Sequence, residues 1–389
     1  MYIRINQSGR IAEINAPFLA FFDLNYRDCI GKTLSDLMIN KTKPLSLLKR
    51  FFFTSNIDIL FKTKIVEYTI KGIQNWVEWS MIQVGEEFVA LGKNVTCIKK
   101  FEPLIEKQNK ILNNHIKNMI ASLEYAKNIQ GALLPDVTHI SENISQFIIY
   151  EPKDIVSGDF YWFLSEPDGF IIISIDCTGH GVPGALMTVM VNMLLDEIIK
   201  EYGIRNPQQI LELLDKKIQQ SLSKGDITLA DGLDIGVCRF NLYTHKLTFS
   251  GAFQNVLIFR DGQCHKLHGG RFPIGFYENF IKSWATEFFD LKFGDRIYMG
   301  SDGLADQFGG ERSKKLGTKK LVAAIKDSVK LSMKDQHVYL YKFFKDWKGE
   351  EEQVDDVTLI GIEVGVLPEF LSYSQENNRQ ERQQLSLQS

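Results

Sequence analysis

Ile171–Gly184 reads IIISIDCTGHGVPG. Four isoleucines around one serine predict a buried core strand over Ile171–Ile175. The strand runs into Asp176, and Gly179, Gly181 and Gly184 follow, where the backbone can turn sharply and approach a ligand closely. A core strand that ends in an acid and glycines is a way to deliver a carboxylate to a cleft. Taken alone, the same segment is equally an ordinary strand-to-helix turn with a surface acid. The other acids of the chain decide between the two.

The chain has 389 residues, enough for two or three domains at ~150 residues each. Its 44% hydrophobic content suits globular cores. A net charge of −3 without a basic stripe argues against a nucleic-acid binder, including a metal nuclease. Cys29, Cys97, Cys177, Cys238 and Cys264 are scattered and form no CxxC pair, so neither a disulfide framework nor a zinc site is indicated. The first residues, MYIRINQSGR, lack the apolar core of a signal peptide. The longest apolar run, Gly181–Leu195, is short for a bilayer and contains Asn192. The expectation is a cytoplasmic chain with no membrane insertion.

In the first hundred residues, Ile3 and Ile5 alternate with polar residues, Gln7–Arg10 makes a turn, and Ile11–Ile14 completes a hairpin. A helical stretch with Phe18, Phe21, Phe22 and Leu24 and short segments around Leu34, Leu37 and Leu47 come next. Strand-like runs follow at Ile65–Gly72, Trp76–Val84 and Glu87–Thr96, an α+β arrangement. GRIAEINAPFLAFF, IGKTLSDLM and WVEWSMIQVGEEFVALGKNVT resemble PAS sensor domains over residues 1–98. The resemblance implies a small-molecule or partner site. No histidine precedes His115, which excludes a histidine-ligated haem from this segment, and no flavin pattern is present, so the ligand is unknown.

Residues 99–135 predict a linker helix. Ile105, Leu112, Met119, Ala126 and Leu133 fall at heptad d, and Asn109, Ile116, Leu123 and Gln130 at a, giving about four heptads of coiled coil. An asparagine at a sets register in parallel dimers, so a homodimer through the N-terminal domain and linker is expected. Ile129, Leu133 and Leu134 exceed what a two-stranded seam needs and are expected to pack on the following domain. Pro135 stops the helix.

Beyond it the chain alternates short strands, glycine turns and two longer helices. Asp159 follows the Ser157-Gly158 turn, Asp302 ends the strand Ile297–Met299 in Ser-Asp-Gly, and Asp355-Asp356 precedes the strand Val357–Val364. Each acid alone is most simply a solvated loop residue. Gathered in one place, they would repel unless a cation joined them. All-carboxylate sets suit Mg²⁺ or Mn²⁺, and two such ions ~3.5–4 Å apart can clamp a phosphoryl group and activate a water.

IVSGDFYWF, IIISIDCTGHGVPGALM, LTFSGAFQNVLIFRDG, FPIGF, GDRIYMGSDGLADQFGG and QVDDVTLIGI occur in this order. Together they resemble the metal-dependent type 2C serine/threonine protein phosphatases, in the bacterial branch typified by SpoIIE, over residues 136–366. The resemblance implies an αββα sandwich with a dimetal centre of Mn²⁺ or Mg²⁺, whose bound hydroxide attacks phosphoserine or phosphothreonine directly. It places metal ligation on Asp159, Asp176, the Cys177 carbonyl, Asp302 and Asp355, with Asp356 as a further or supporting acid. It also implies a phosphoprotein substrate, for which an anti-sigma-factor antagonist is the natural guess.

The chain departs from relatives at the general acid, since His180 stands off the register of their histidine. Their phosphate-binding arginine has no clear match here; Lys153 could substitute electrostatically, though a solvated lysine is the plainer account. Gly179 belongs to the turn, and Asp306 stands where it could bond a metal-bound water. Asp231 and Asp234 could join a third metal, though an acid beside a strand is the plainer account. The competing function is a signalling scaffold with an inactive phosphatase-like domain. Residues 367–389, glutamine-rich and aperiodic, are expected to be disordered.

Overall fold

A computed structural model describes residues 1–34, 36–38, 62–70, 72–136, 144–224, 227–228, 231–275 and 282–365. The expectations at Leu47 and for the tail lie outside these residues. The chain divides into two compact units, Met1–Asn118 and Met119–Ser389. The division falls inside one helix, not at either end of it.

The first unit is a five-stranded antiparallel sheet. Its strands are β1 (Tyr2–Ile5), β2 (Ile11–Ile14), β3 (Lys62–Ile70), β4 (Ile73–Val84) and β5 (Glu87–Asn94), in the order β2-β1-β5-β4-β3. Helix α1 (Ala16–Phe22) lies between β2 and β3 in the chain, with Asn15 accepting the Phe18 N–H as its cap. The core gathers Ile3, Ile5, Ile11, Phe18, Tyr68 and Trp79. The buried indole of Trp79 donates to the Tyr68 hydroxyl at 2.8 Å, which satisfies the one polar atom it brings inside.

Helix α2 (Thr96–Leu133) carries Pro103 in its interior. Ile105, Leu112, Ile116 and Met119 are exposed along it, whereas Gln130 is buried. The seam therefore changes character before its end. Ile129 and Leu133, expected to pack on the second unit, are exposed, and Leu134 is partly buried against its core.

The second unit stacks two five-stranded antiparallel sheets. The first contains β7 (Asp159–Glu166), β8 (Gly169–Cys177), β9 (Leu233–Asn241), β10 (Lys246–Ala252) and β13 (Glu287–Asp290), in the order β13-β10-β9-β8-β7. The second contains β6 (Ile144–Glu151), β11 (Val256–Arg260), β12 (Gln263–Leu267), β14 (Arg296–Gly300) and β15 (Val357–Val364), in the order β12-β11-β14-β15-β6.

Strand β8 explains the layering. Its side chains alternate between faces. Ile171, Ile173 and Ile175 pack with α3 (Gly181–Leu195) and α4 (Pro207–Leu222), while Phe170 and Ile172 face the other sheet. Both faces are dry, which is why the isoleucines run together. On the far side, after the short α5 (Gly303–Asp306), α6 (Gly317–Ser328) and α7 (Met333–Lys348) cover Phe147, Ile149, Tyr298 and Leu359 of the second sheet. The unit is thus an αββα sandwich.

Helix α3 follows the span the sequence suggests, from about Val182 to Glu201, and corrects the expectation that so apolar a helix is buried. A π-helical continuation, Asp196–Glu201, extends it to a 21-residue stretch of mean hydropathy 1.5, long and apolar enough to cross a membrane by length and composition. It is not buried all round. Met187, Val191, Leu195, Ile198 and Ile199 pack on β8, but Val182, Leu186 and Met193 are exposed.

Candidate active site

Register places the acids. Asp159 of β7 and Asp234 of β9 are both the direct cross-strand partners of Asp176 on β8. Directly paired residues share a sheet face, so three carboxylates stand in one row across adjacent strands. The face is the one carrying Phe170, Ile172, Cys238 and Phe240, which looks toward the second sheet. Like charges directly opposite are destabilising, so this row has to be compensated.

The second sheet ends at the same place. Its β14 and β15 pair antiparallel, with Gly300 opposite Leu359. The Ser301 N–H donates to the Thr358 carbonyl at 3.0 Å, and the Thr358 N–H donates to the Ser301 hydroxyl at 3.0 Å. Asp302 and Asp355-Asp356 thereby flank one junction. The Ser301 hydroxyl crosses to the first sheet and donates to Asp159. A cleft of about 210 Å³ is lined by Asp176, Cys177, Gly179, Asp234, Asp302 and Asp355, together with Thr178 and Leu233.

Burial and mutual repulsion both act on these groups. Burial pushes the Asp159 carboxyl up, opposed by its hydroxyl donors and reinforced by Asp356 and Asp355. Asp176 is raised well above the usual carboxylate range by burial and then by Asp159, Asp302, Asp355 and Asp234. Asp234 is pushed up to about 7 by burial and by Asp302. Asp302 is raised by burial, Asp306 and Asp355, with Lys315 opposing.

An oxygen-only donor set of acids that want either protons or a cation fits hard divalent ions such as Mg²⁺ or Mn²⁺. As the side chains stand, no three His, Cys, Asp or Glu among the described residues are drawn together closely enough to hold one ion. The acids lie within electrostatic reach of one another and not within one coordination shell.

Asp356 does something different from its neighbour. It accepts the Lys153 N–H and the Gly158 N–H, each at 2.7 Å, so both oxygens are occupied in holding the 153–158 loop. That suits the supporting role, in which Asp356 holds the loop that carries Asp159. Asp306 is likewise engaged, accepting from Lys315 at 2.6 Å. His180 caps α3 and lies 2.6 Å from Asp154 through Nδ1 and 2.9 Å from Lys153 through Nε2. Asp154, His180 and Lys153 therefore form an exposed chain that ties the 153–158 loop to the glycine turn. Glycines at Gly158 and Gly184 are required there, because a Cβ at either would come within 2.3 Å of the Gly179 carbonyl oxygen.

Two residues were underweighted by the sequence. Asp234 joins the row only through the pairing of β9 with β8, a register the chain alone does not display. Gln130 is a polar residue that the heptad absorbs. Its Nε2 donates to the Ser157 carbonyl at 2.6 Å and to the Thr188 hydroxyl at 2.9 Å, and its Oε1 accepts the Ser157 N–H at 3.0 Å. Ser157 and Gly158 immediately precede Asp159, so α2 grips the segment that delivers this acid.

The sequence matches the family model described as Stage II sporulation protein E (SpoIIE) over residues 166–365. It is 24% identical over 189 residues to phosphoserine phosphatase RsbU of Bacillus subtilis (strain 168), covering 48% of this chain and 54% of that protein. It is also 24% identical over 192 residues to phosphoserine phosphatase RsbP of the same strain, covering 49% of this chain and 46% of the other. The chain thus spans about half the length of the curated relatives it matches. Among solved structures, the SiaA-PP2C domain of Pseudomonas aeruginosa superposes with a TM-score of 0.59 at 32% identity, covering 64% of this chain and 98% of that domain.

Proposed function

We infer the reaction from the premise that the chain belongs to the SpoIIE family. The second unit is a metal-dependent protein phosphatase acting on phosphoserine or phosphothreonine of a signalling protein. The observation that carries this reading is the row Asp159–Asp176–Asp234, closed from the other sheet by Asp302 and Asp355.

Asp159, Asp176, Asp302, Asp355 and the Cys177 carbonyl would hold two divalent ions, with Asp234 alongside. When bound, such ions supply positive charge for phosphoryl oxygens and lower the pKa of a water. The chain's own residues hold the acids in place. Asp356 and Gln130 fix the loop before Asp159, and the Ser301 hydroxyl orients Asp159 itself. Lys153 and His180, hydrogen-bonded to each other across that loop and the glycine turn, would be the nearest groups of this chain's own to assist a phosphate or leaving hydroxyl, although neither lines the cleft.

The test is release of phosphate from phosphoserine peptides with Mn²⁺ or Mg²⁺, and its loss on exhaustive chelation. Persistence after chelation removes the metal reading, and no hydrolysis with either ion favours a scaffold. Cys177→Ala should keep most of the turnover, because only its backbone is used and burial pushes its thiol away from the nucleophilic thiolate. Trapping a phosphocysteine would overturn that assignment.

The first unit is a PAS-like sensor; the strand order β2-β1-β5-β4-β3 with helices inserted after β2 supports this. The exposed stripe Ile105, Leu112, Ile116 and Met119 on α2 serves a parallel homodimer in the cytoplasm. Leu112→Glu should convert dimer to monomer in light scattering, since a charge at an apolar seam position is desolvated without a partner. A wild type already monomeric at micromolar concentration sinks the dimer.

A further inference from the structure

A second cavity, of about 290 Å³, adjoins the carboxylates and shares Asp176, Asp234 and Asp302 with the cleft described above. Away from the acids its lining changes. Leu257 of β11, Leu359 of β15 and Leu321 and Ile325 of α6 form an apolar wall. An apolar chamber that opens onto catalytic acids is placed to meet whatever is attached to the reacting phosphoryl group.

Two features of the turn after β10 face this question. Phe253 lines the cavity, is 48% exposed, and has φ 59°. The turn is fixed on both sides: the Phe253 N–H donates to the Gly270 carbonyl at 2.8 Å, and the Gln254 N–H donates to the Ala252 carbonyl at 2.7 Å. A large aromatic in the left-handed region is unusual, and such residues persist where a ligand or clamp makes use of them. Its neighbour Gln254 also lines the cavity and is 7% exposed. Its Nε2 donates to the Asp234 carbonyl at 3.2 Å, but its Oε1 has no hydrogen-bond partner among the described residues. A buried acceptor without a partner is rare enough in a folded chain to need an explanation.

We propose that this cavity is a specificity pocket for the phosphoprotein substrate, accepting an apolar side chain within two residues of the phosphoserine. The inference rests on the phosphatase reading given above. The Phe253 ring packs against the bound peptide, and Gln254 Oε1 accepts a peptide N–H. Spacing allows it: residues of an extended peptide rise ~3.3 Å each, so neighbours on either side of the phosphoserine remain beside the acids. Charge favours a peptide over a small free anion, because the mouth bears three carboxylates and only the phosphoryl group needs to meet cations. Polar flanking residues would bury unpaired groups against leucine and isoleucine, whereas apolar ones gain by leaving water.

The experiment compares phosphoserine peptides that differ only in carrying Leu, Gly or Asp at each of the two positions on either side, with Mn²⁺ present. The full chain is assayed as wild type, Leu321→Glu and Phe253→Gly. Glycine adopts the same φ without strain, so Phe253→Gly keeps the turn, and thermal melting checks that both variants fold. Leucine at one position should raise kcat/KM over glycine by roughly tenfold or more, mainly through KM. Both variants should reduce that preference to below about threefold. If Leu321→Glu does not fold, Phe253→Gly alone decides. Hydrolysis of all peptides at similar kcat/KM by the wild type, or an undiminished preference in the folded variants, overturns the pocket while leaving the phosphatase standing. No hydrolysis of any peptide or of p-nitrophenyl phosphate removes the phosphatase reading and the pocket with it.

Discussion

Asp176→Asn should lower metal-dependent hydrolysis by at least about 10²-fold, since even supporting contacts around a metal cost 10–100-fold when lost. It should also raise the melting temperature of the metal-free protein. The sign follows from the carboxyl's environment. Burial and the neighbours Asp159, Asp302, Asp355 and Asp234 hold its folded pKa well above the unfolded value of about 3.9. A group raised in this way contributes fully below the unfolded pKa, and its contribution is lost as pH rises through the folded one. At pH 8 the metal-free wild type therefore folds at a cost that asparagine does not bear. Each kcal/mol recovered is worth about 2–4 °C in a unit of this size. The gap between variant and wild type should close as pH falls toward 4. Saturating Mn²⁺ should reverse the order, because only the wild type gains the full binding free energy. Differential scanning fluorimetry across pH, with and without Mn²⁺, reads all three effects. Near-wild-type turnover with a normal metal titration sinks the assignment, and a melting temperature that falls without metal refutes the repulsion argument.

What the sequence showed and what it hid have separate causes. The sandwich was legible because β-branched runs such as Ile171–Ile175 are buried on both faces, and burial is written in residue type. Strand β12, Gln263–Leu267, was not read as a strand because QCHKL is exposed at four of its five positions on a sheet edge. Asp159, Asp176, Asp302 and Asp355 stood out as acids at strand ends. Asp234 was legible only as an acid beside a strand that could join a third metal, because its place depends on which residue of β8 it faces, and register is a property of the pair. Adjacent acids posed a different difficulty: Asp355 and Asp356 are chemically equal in the sequence, and only the N–H groups of Lys153 and Gly158 show which one holds the 153–158 loop.

The linker contains the sharpest disagreement between pattern and packing, and it yields the second large effect. Gln130 falls at a heptad a position, where it would be read as a polar seam residue. Instead it is buried and spends all of its amide on Ser157 and Thr188. Leucine at this position would fill a similar volume but leave the buried Ser157 N–H and carbonyl without these partners, at roughly 1–3 kcal/mol for each group. The strain would fall on the loop that Asp356 holds from its other side, and Asp159 is the next residue but one after Ser157. Gln130→Leu should therefore weaken apparent Mn²⁺ affinity by about tenfold, the low end for an outer contact of a metal site, and turnover should recover in part at saturating metal. Ile129→Ala, one residue away with its side chain exposed, should change neither quantity. Leucine is as good a helix former as glutamine, so an effect of Gln130→Leu reports the docking of the linker and not helix propensity, and Ile129→Ala controls for a change of surface on the same turn. A Gln130→Leu variant with the wild-type Mn²⁺ titration and turnover would show that the grip of α2 on the Ser157 loop has no bearing on the acids.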